Sequence, residues 1–249
     1  MLHRVARLAP QRDAGRRGPV IPDREAALGG SVGIMARWPR WARLLTGIVV
    51  AAAVVVGTPA IRQSMLQAAG RALVVDDGVE PADIVVVAAD AAGAGVLEAV
   101  DLVQRGVATR VAVFADPPDA ADREFIRRGV PYDDAAARSV RQLRSLGVRA
   151  IEQIPRSVAG TEAEARALRD WCKAQPLRAV IVVTMPDHSR RWRRIVHRTM
   201  QRQHTRVLVR PARYSPFDPD RWWESRDGIR TAIMELQKLL LDVVRHPIS

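Results

Sequence analysis

The chain has one cysteine, two lysines and few aromatic side chains, and each scarcity removes a class of function. Cys172 alone excludes an internal disulfide, a thiol redox pair and a cysteine-rich zinc site. Aromatic residues make up 4% of the sequence, and between Arg190 and Arg213 only Trp192 offers a ring for stacking, so no nucleic-acid partner is expected. His197 and His204 have no acidic or cysteine companions and do not compose a metal site. A complete G-x-G-x-x-G fingerprint is missing as well. The third position after Gly95 is Glu98, wrong in both size and charge for a dinucleotide turn. Neither Ser157 nor Ser189 has a strand-to-helix elbow context, so a Ser-His-Asp triad is not indicated.

What is present describes a globular chain. With 48% apolar and 27% charged residues it can bury a core, and 249 residues suffice for one α/β domain plus a short extra element. Of 39 basic residues, all but Lys173 and Lys238 are arginines, and against 27 acids they leave a formal charge of +12 that favours anionic partners.

Residues 1–43 are basic and aperiodic, and are expected to be largely disordered; Met35 is a candidate start. The stretch 44–61 follows, uncharged from Leu44 to Ala60 and bracketed by Arg43 and Arg62. At 1.5 Å per residue it is just long enough for a single transmembrane helix. Nine arginines upstream, and Trp38 and Trp41 at the headgroup level, are expected to hold the N-terminus in the cytoplasm and the rest outside. A cleaved signal peptide and a core helix are the competing readings.

After a linker at 62–80, apolar runs and helical stretches alternate through 81–249. Strands are expected at Ile84–Ala88, Val111–Phe114, Ala150–Ile154, Ala179–Val183 and Arg206–Val209. Helices fall between them, and Gly228–Val244 closes the chain. This predicts a Rossmann-like, mostly parallel α/β sheet of about five strands flanked by helices.

In such sheets ligands bind beyond the carboxyl ends of the strands, which singles out Asp90, Asp116, Ser157, Thr161, Thr184, His188, Arg210 and Arg213. Ala89–Gly95 reads as a plain strand-to-helix turn more readily than as a phosphate cradle. Thr161 and Glu164 fit a capping box; the functional alternative makes Thr161 a hydroxyl or anion contact and Glu164 a base. Thr184 to Arg191 carries the strongest local chemistry. There an imidazole able to exchange a proton near neutral pH, a helix N-terminus and guanidinium groups share one small volume. Trp222 and Trp223 are expected to cover the core edge beside the last helix.

Four segments together resemble the YdcF-like family, also called DUF218, which includes SanA/ElyC-like envelope proteins. They are ADIVVV at Ala82–Val87, GT-x-x-E at Gly160–Glu164, VT-x-x-x-H-x-x-R at Val183–Arg191, and Trp222…Glu235-x-x-Lys238. The likeness runs from Arg71 to Leu241. It implies a Rossmann-like fold behind a single membrane helix and a role in envelope barrier function or in peptidoglycan or lipid-carrier metabolism. It also implies that Thr161, Glu164, Thr184, His188 and Arg191 are shared ligand-site positions. The chain departs from that pattern where Ala88-Ala89-Asp90 and Ala115-Asp116-Pro117 replace glycine-rich turns, and where Ser157 to Thr161 is stretched.

The leading expectation is a membrane-anchored extracytoplasmic domain binding an anionic small molecule, a phosphorylated or lipid-linked envelope precursor. His188 and Glu164 are the catalytic candidates, and Asp90, Asp116, Ser157, Gly160, Thr161, Thr184 and Arg191 the binding ones. No metal is expected and no cofactor is indicated. The alternative is a non-catalytic envelope scaffold whose Arg-rich face, nine arginines from Arg190 to Arg213, meets lipid headgroups or a partner.

Overall fold

The structure, a computed structural model, describes residues 39–131, 134–156 and 160–247. The chain divides into two units, Met1–Gly57 and Thr58–Ser249. In the first, the described element is α1 (Arg40–Gly57), on which Leu44, Ile48 and Val49 are exposed. Thr58 is extended, and Pro59 opens α2 (Pro59–Arg71), since a proline ring fits a helix only in its first turn. Thr58 therefore separates α1 from α2 within the stretch 44–61. Among the described residues no single helix is long and apolar enough to cross a membrane.

The second unit begins with α2, which overlaps the linker helix expected around Ser64 to Leu73 and packs onto the domain. Gly70 lies so close to the Pro219 carbonyl and the Trp222 ring that no Cβ would fit. Leu73 joins Phe217, Trp222 and Ala232 in a small apolar cluster, and the Trp222 indole donates to the Leu66 carbonyl at 2.8 Å. Trp222 thus covers the core edge.

Thereafter come β1 (Ile84–Val87), α3 (Ala92–Gln104), β2 (Arg110–Ala115), α4 (Ala120–Arg127), α5 (Ala135–Ser145) and β3 (Ala150–Pro155). Next are α6 (Thr161–Lys173), β4 (Ala179–Thr184), α7 (Pro186–Met200), β5 (Arg206–Pro211), a 3-10 turn (Trp222–Glu224) and α8 (Arg226–Arg245). All five strands are parallel, in the order β3-β2-β1-β4-β5. Helices cover both faces, so β1 and β4 are buried along their whole length, which is why they read as unbroken apolar runs. Val85, Val87, Ile181 and Val183 face α3, while Ile84, Val86, Val180 and Val182 face α6 and α7. Each such side chain contributes about 1.5–3 kcal/mol by leaving water.

Helix ends follow local chemistry. After α3, Gly106 takes φ 72°, and the amides of Gly106 and Val107 bond back to the Val103 and Leu102 carbonyls at 2.9 and 3.0 Å. That closure needs a residue tolerant of positive φ. The strand order reverses between β1 and β4. The crevice beyond their carboxyl ends is thus the expected place for a ligand.

Candidate functional site

A cavity of about 760 Å³ occupies that crevice. The turn after β1 contributes Ala89 and Asp90 to its wall, the start of α6 contributes Gly160, Thr161 and Glu164, and the start of α7 contributes Asp187, His188 and Arg191. The far wall is α8, which presents Thr231, Glu235 and Lys238, spaced so that they share one helical face.

Pro186 sits at the first position of α7, which draws Asp187 and His188 into the first helical turn and leaves Met185 as the flanking residue. His188 and Arg191 are then one turn apart on one face. The imidazole Nε2 lies 3.0 Å from the Thr161 hydroxyl, and Nδ1 lies 3.0 Å from a Glu235 carboxylate oxygen. We assign the proton to Nδ1, because a lone pair there would face a carboxylate. Nε2 then accepts from the Thr161 hydroxyl. Arg191 closes the cluster: Nε donates to Glu235 at 3.0 Å and Nη1 to the Thr161 oxygen at 3.3 Å, while Nη2, 2.8 Å from the protonated Nδ1, makes no hydrogen bond to it because both are donors. Lys238 Nζ adds a 2.7 Å bond to the second Glu235 oxygen. Burial by itself would raise the Glu235 pKa, but the hydrogen bonds from His188 and Arg191 outweigh it and hold this carboxyl far below the usual range.

Glu164 does not form the expected capping box. Gly160 is the cap position, with φ 112°, and no side chain caps α6. The Glu164 carboxylate instead turns into the core. It accepts from the Ala89 amide at 2.9 Å and the Trp192 indole at 3.3 Å, and meets Arg156 Nη1 at 3.1 Å. Burial nonetheless pushes its pKa up. Asp187, nine-tenths buried in the wall, is also pushed up by burial.

Asp90 lines the cavity, braced by the Thr184 hydroxyl at 2.9 Å and the Met185 amide at 3.1 Å. Thr184 is fully buried beneath it and does not reach the cavity. Asp116 does not reach it either: Arg156 grips both its oxygens, and it borders a separate cavity of about 250 Å³. Ser157 lies outside the described residues. Ser189 braces the Val75 amide at 2.8 Å and donates to the Pro186 carbonyl. Arg210 and Arg213 pair with the fully buried Glu98, away from the cavity.

Sequence reasoning missed Arg156, Asp187, Glu235 and Lys238 as site residues. Glu235 and Lys238 appeared only within the resemblance, and nothing local marked Arg156. The Arg-rich stretch is largely consumed internally. Arg193 pairs with Asp77, Arg194 and Arg198 with Asp242, and Arg206 with Glu80. Among the described residues no cluster of three or more metal-ligating side chains occurs.

No family model matches this chain, and no curated protein does. Among solved structures it is similar to the rRNA methyltransferase aviRa from Streptomyces viridochromogenes, at 14% identity and a TM-score of 0.27, over 64% of this chain and 78% of that one. At that TM-score the likeness supports no functional comparison.

Proposed function

We propose that the site around Thr161, Arg191 and Lys238 binds an anionic envelope metabolite, a phosphorylated or lipid-linked precursor. In this reading the N-terminal apolar segment holds the protein at the bacterial inner membrane, with the α/β domain outside the cytoplasm. One observation carries the binding half: Arg191, His188 and Thr161 converge on a single hollow beyond β1 and β4, with Lys238 at its rim. Arginine and lysine grip an anion, and the imidazole exchanges a proton with it. The envelope role rests on the resemblance to the YdcF-like family, and the topology on the nine arginines that precede the apolar segment. The scaffold reading gains little support, because so many arginines from Arg190 to Arg213 already pair with carboxylates of the same chain.

Mass spectrometry of small molecules co-purified with the full chain in mild detergent tests the binding. An anionic metabolite is expected on the wild type and missing from Arg191→Ala; an identical complement on both would refute it. A C-terminal reporter fusion active only in the cytoplasm would overturn the topology.

A further inference from the structure

The Thr161 hydroxyl is polarised from two sides. It donates to His188 Nε2 at 3.0 Å and accepts from Arg191 Nη1 at 3.3 Å, while Glu235 fixes the opposite ring nitrogen at 3.0 Å. Hydroxyl, imidazole and carboxylate in that order form the arrangement by which nucleophilic catalysis makes an alcohol reactive. The usual serine motif gives no hint of it, because the hydroxyl comes from the first residue of α6 and the carboxylate from α8.

The surroundings select the chemistry. Five carboxyl groups line the larger cavity, Asp90, Glu164, Asp187, Asp227 and Glu235, and its Arg156, Arg191 and Lys238 are already paired with carboxylates. A phosphoryl group attacked from that side would be repelled; a neutral carbonyl would not. A second cavity of about 360 Å³ shares Gly160, Thr161, Arg191 and Lys238 with the first. Its wall adds Arg166 and Arg245 and so carries four cations to two carboxylates: Arg166 pairs with Glu162 at 3.7 Å, Arg191 and Lys238 share Glu235, and Asp242 is held by Arg194 and Arg198. Thr161 stands at the junction of an acidic chamber and a cationic one.

We infer that Thr161 is the nucleophile of an acyl-transfer reaction on carboxylic esters that carry an anionic group, the anion lying in the smaller cationic chamber. This rests on the ligand-site reading above and adds to it a reaction and a substrate class. The Thr161 oxygen bonds to the carbonyl carbon as its proton passes to His188 Nε2. The first N–H groups of α6, which no side chain caps, are left to donate to the developing oxyanion. Collapse breaks the ester C–O bond, and Nε2 returns the proton to the departing alcohol. Water then attacks the acyl-threonine by the same route, releasing the acid and restoring the hydroxyl. Glu235 acts through His188, as a positioning residue.

Treating the full chain in mild detergent with a fluorophosphonate probe, followed by peptide mapping, tests this. An adduct on Thr161 is expected. It should vanish in Thr161→Val, persist in Thr161→Ser, and form about a hundredfold more slowly in His188→Gln. Glu235→Gln should slow labelling without moving it from Thr161. A wild-type chain with a cooperative melting transition that takes no probe, or equal labelling in Thr161→Val, would overturn the nucleophile. If that same chain still binds an anionic metabolite, the proposed function survives and the acyl-transfer step alone is lost.

Discussion

His188 Nδ1 and Glu235 Oε2 lie 3.0 Å apart although 47 positions separate them in the sequence, and this contact ties α7 to α8 in the wall of the cavity. Glu235 is buried and faces Arg191 and Lys238 as well. Replacing it with alanine strands those charges, and Glu235→Ala should lower stability by about 3 kcal/mol at neutral pH in a denaturant titration. The pH dependence follows from the sign of the shift. A carboxyl with a lowered folded pKa contributes its stability fully above the ordinary carboxylate value, and that contribution fades as pH falls towards the folded value. The gap between wild type and variant should therefore narrow in acid.

Arg156 is the counter-ion that Asp116 and Glu164 share, with its side chain only 5% exposed. Arg156→Met should cost about 3 kcal/mol at neutral pH by leaving two carboxyl groups without their cation. Here the sign runs through Glu164, whose folded pKa is already raised by burial. Without Arg156 it rises further, so the penalty is least in acid and grows as pH increases through the Glu164 range. Urea midpoints across pH check this.

Gly93 and Gly95 separate turn chemistry from packing. A Cβ at Gly95 would meet Ala91 Cβ at 2.5 Å and Val87 Cγ1 at 2.8 Å, whereas one at Gly93 meets nothing within 4 Å. Gly95→Ala should destabilise by about 2 kcal/mol through overpacking of α3 on β1. Gly93→Ala, at an open helical position, should be neutral or stabilise by up to about 1 kcal/mol. Melting curves of the two variants compare them directly.

Cys172 is buried on α6, and burial pushes its thiol up to about 11. Reagents attack the thiolate, so the native chain should resist a disulfide-exchange reagent at neutral pH and react fully once unfolded. Rapid labelling of the folded chain would contradict the packing of α6.

Much of the fold was legible because β1 and β4 are covered on both sides and therefore read as IVVV and AVIVVT, with turn residues between. The site was legible in part. His188 and Arg191 fall on one helical turn after a strand, a relation fixed by local spacing. The capping box expected at Glu164 does not form, because the sequence shows a cap pattern but not the Ala89 amide, Arg156 and Trp192 that draw the carboxylate inward. Glu235 had no local signal at all: its part depends on how α8 packs against α7.

The central claim is that an anion binds where Thr161, Arg191 and Lys238 meet. Calorimetric titration of the full chain with farnesyl phosphate, beside inorganic phosphate, tests it most directly. Saturable binding is predicted, weakened about tenfold or more by Lys238→Ala, whose half-exposed side chain can be removed without unfolding the domain. Tighter binding of farnesyl phosphate than of free phosphate would point to a lipid-linked ligand, and equal affinity to a free one. Affinity unchanged in Lys238→Ala and Arg191→Ala, or no saturable binding of either probe, would contradict the account.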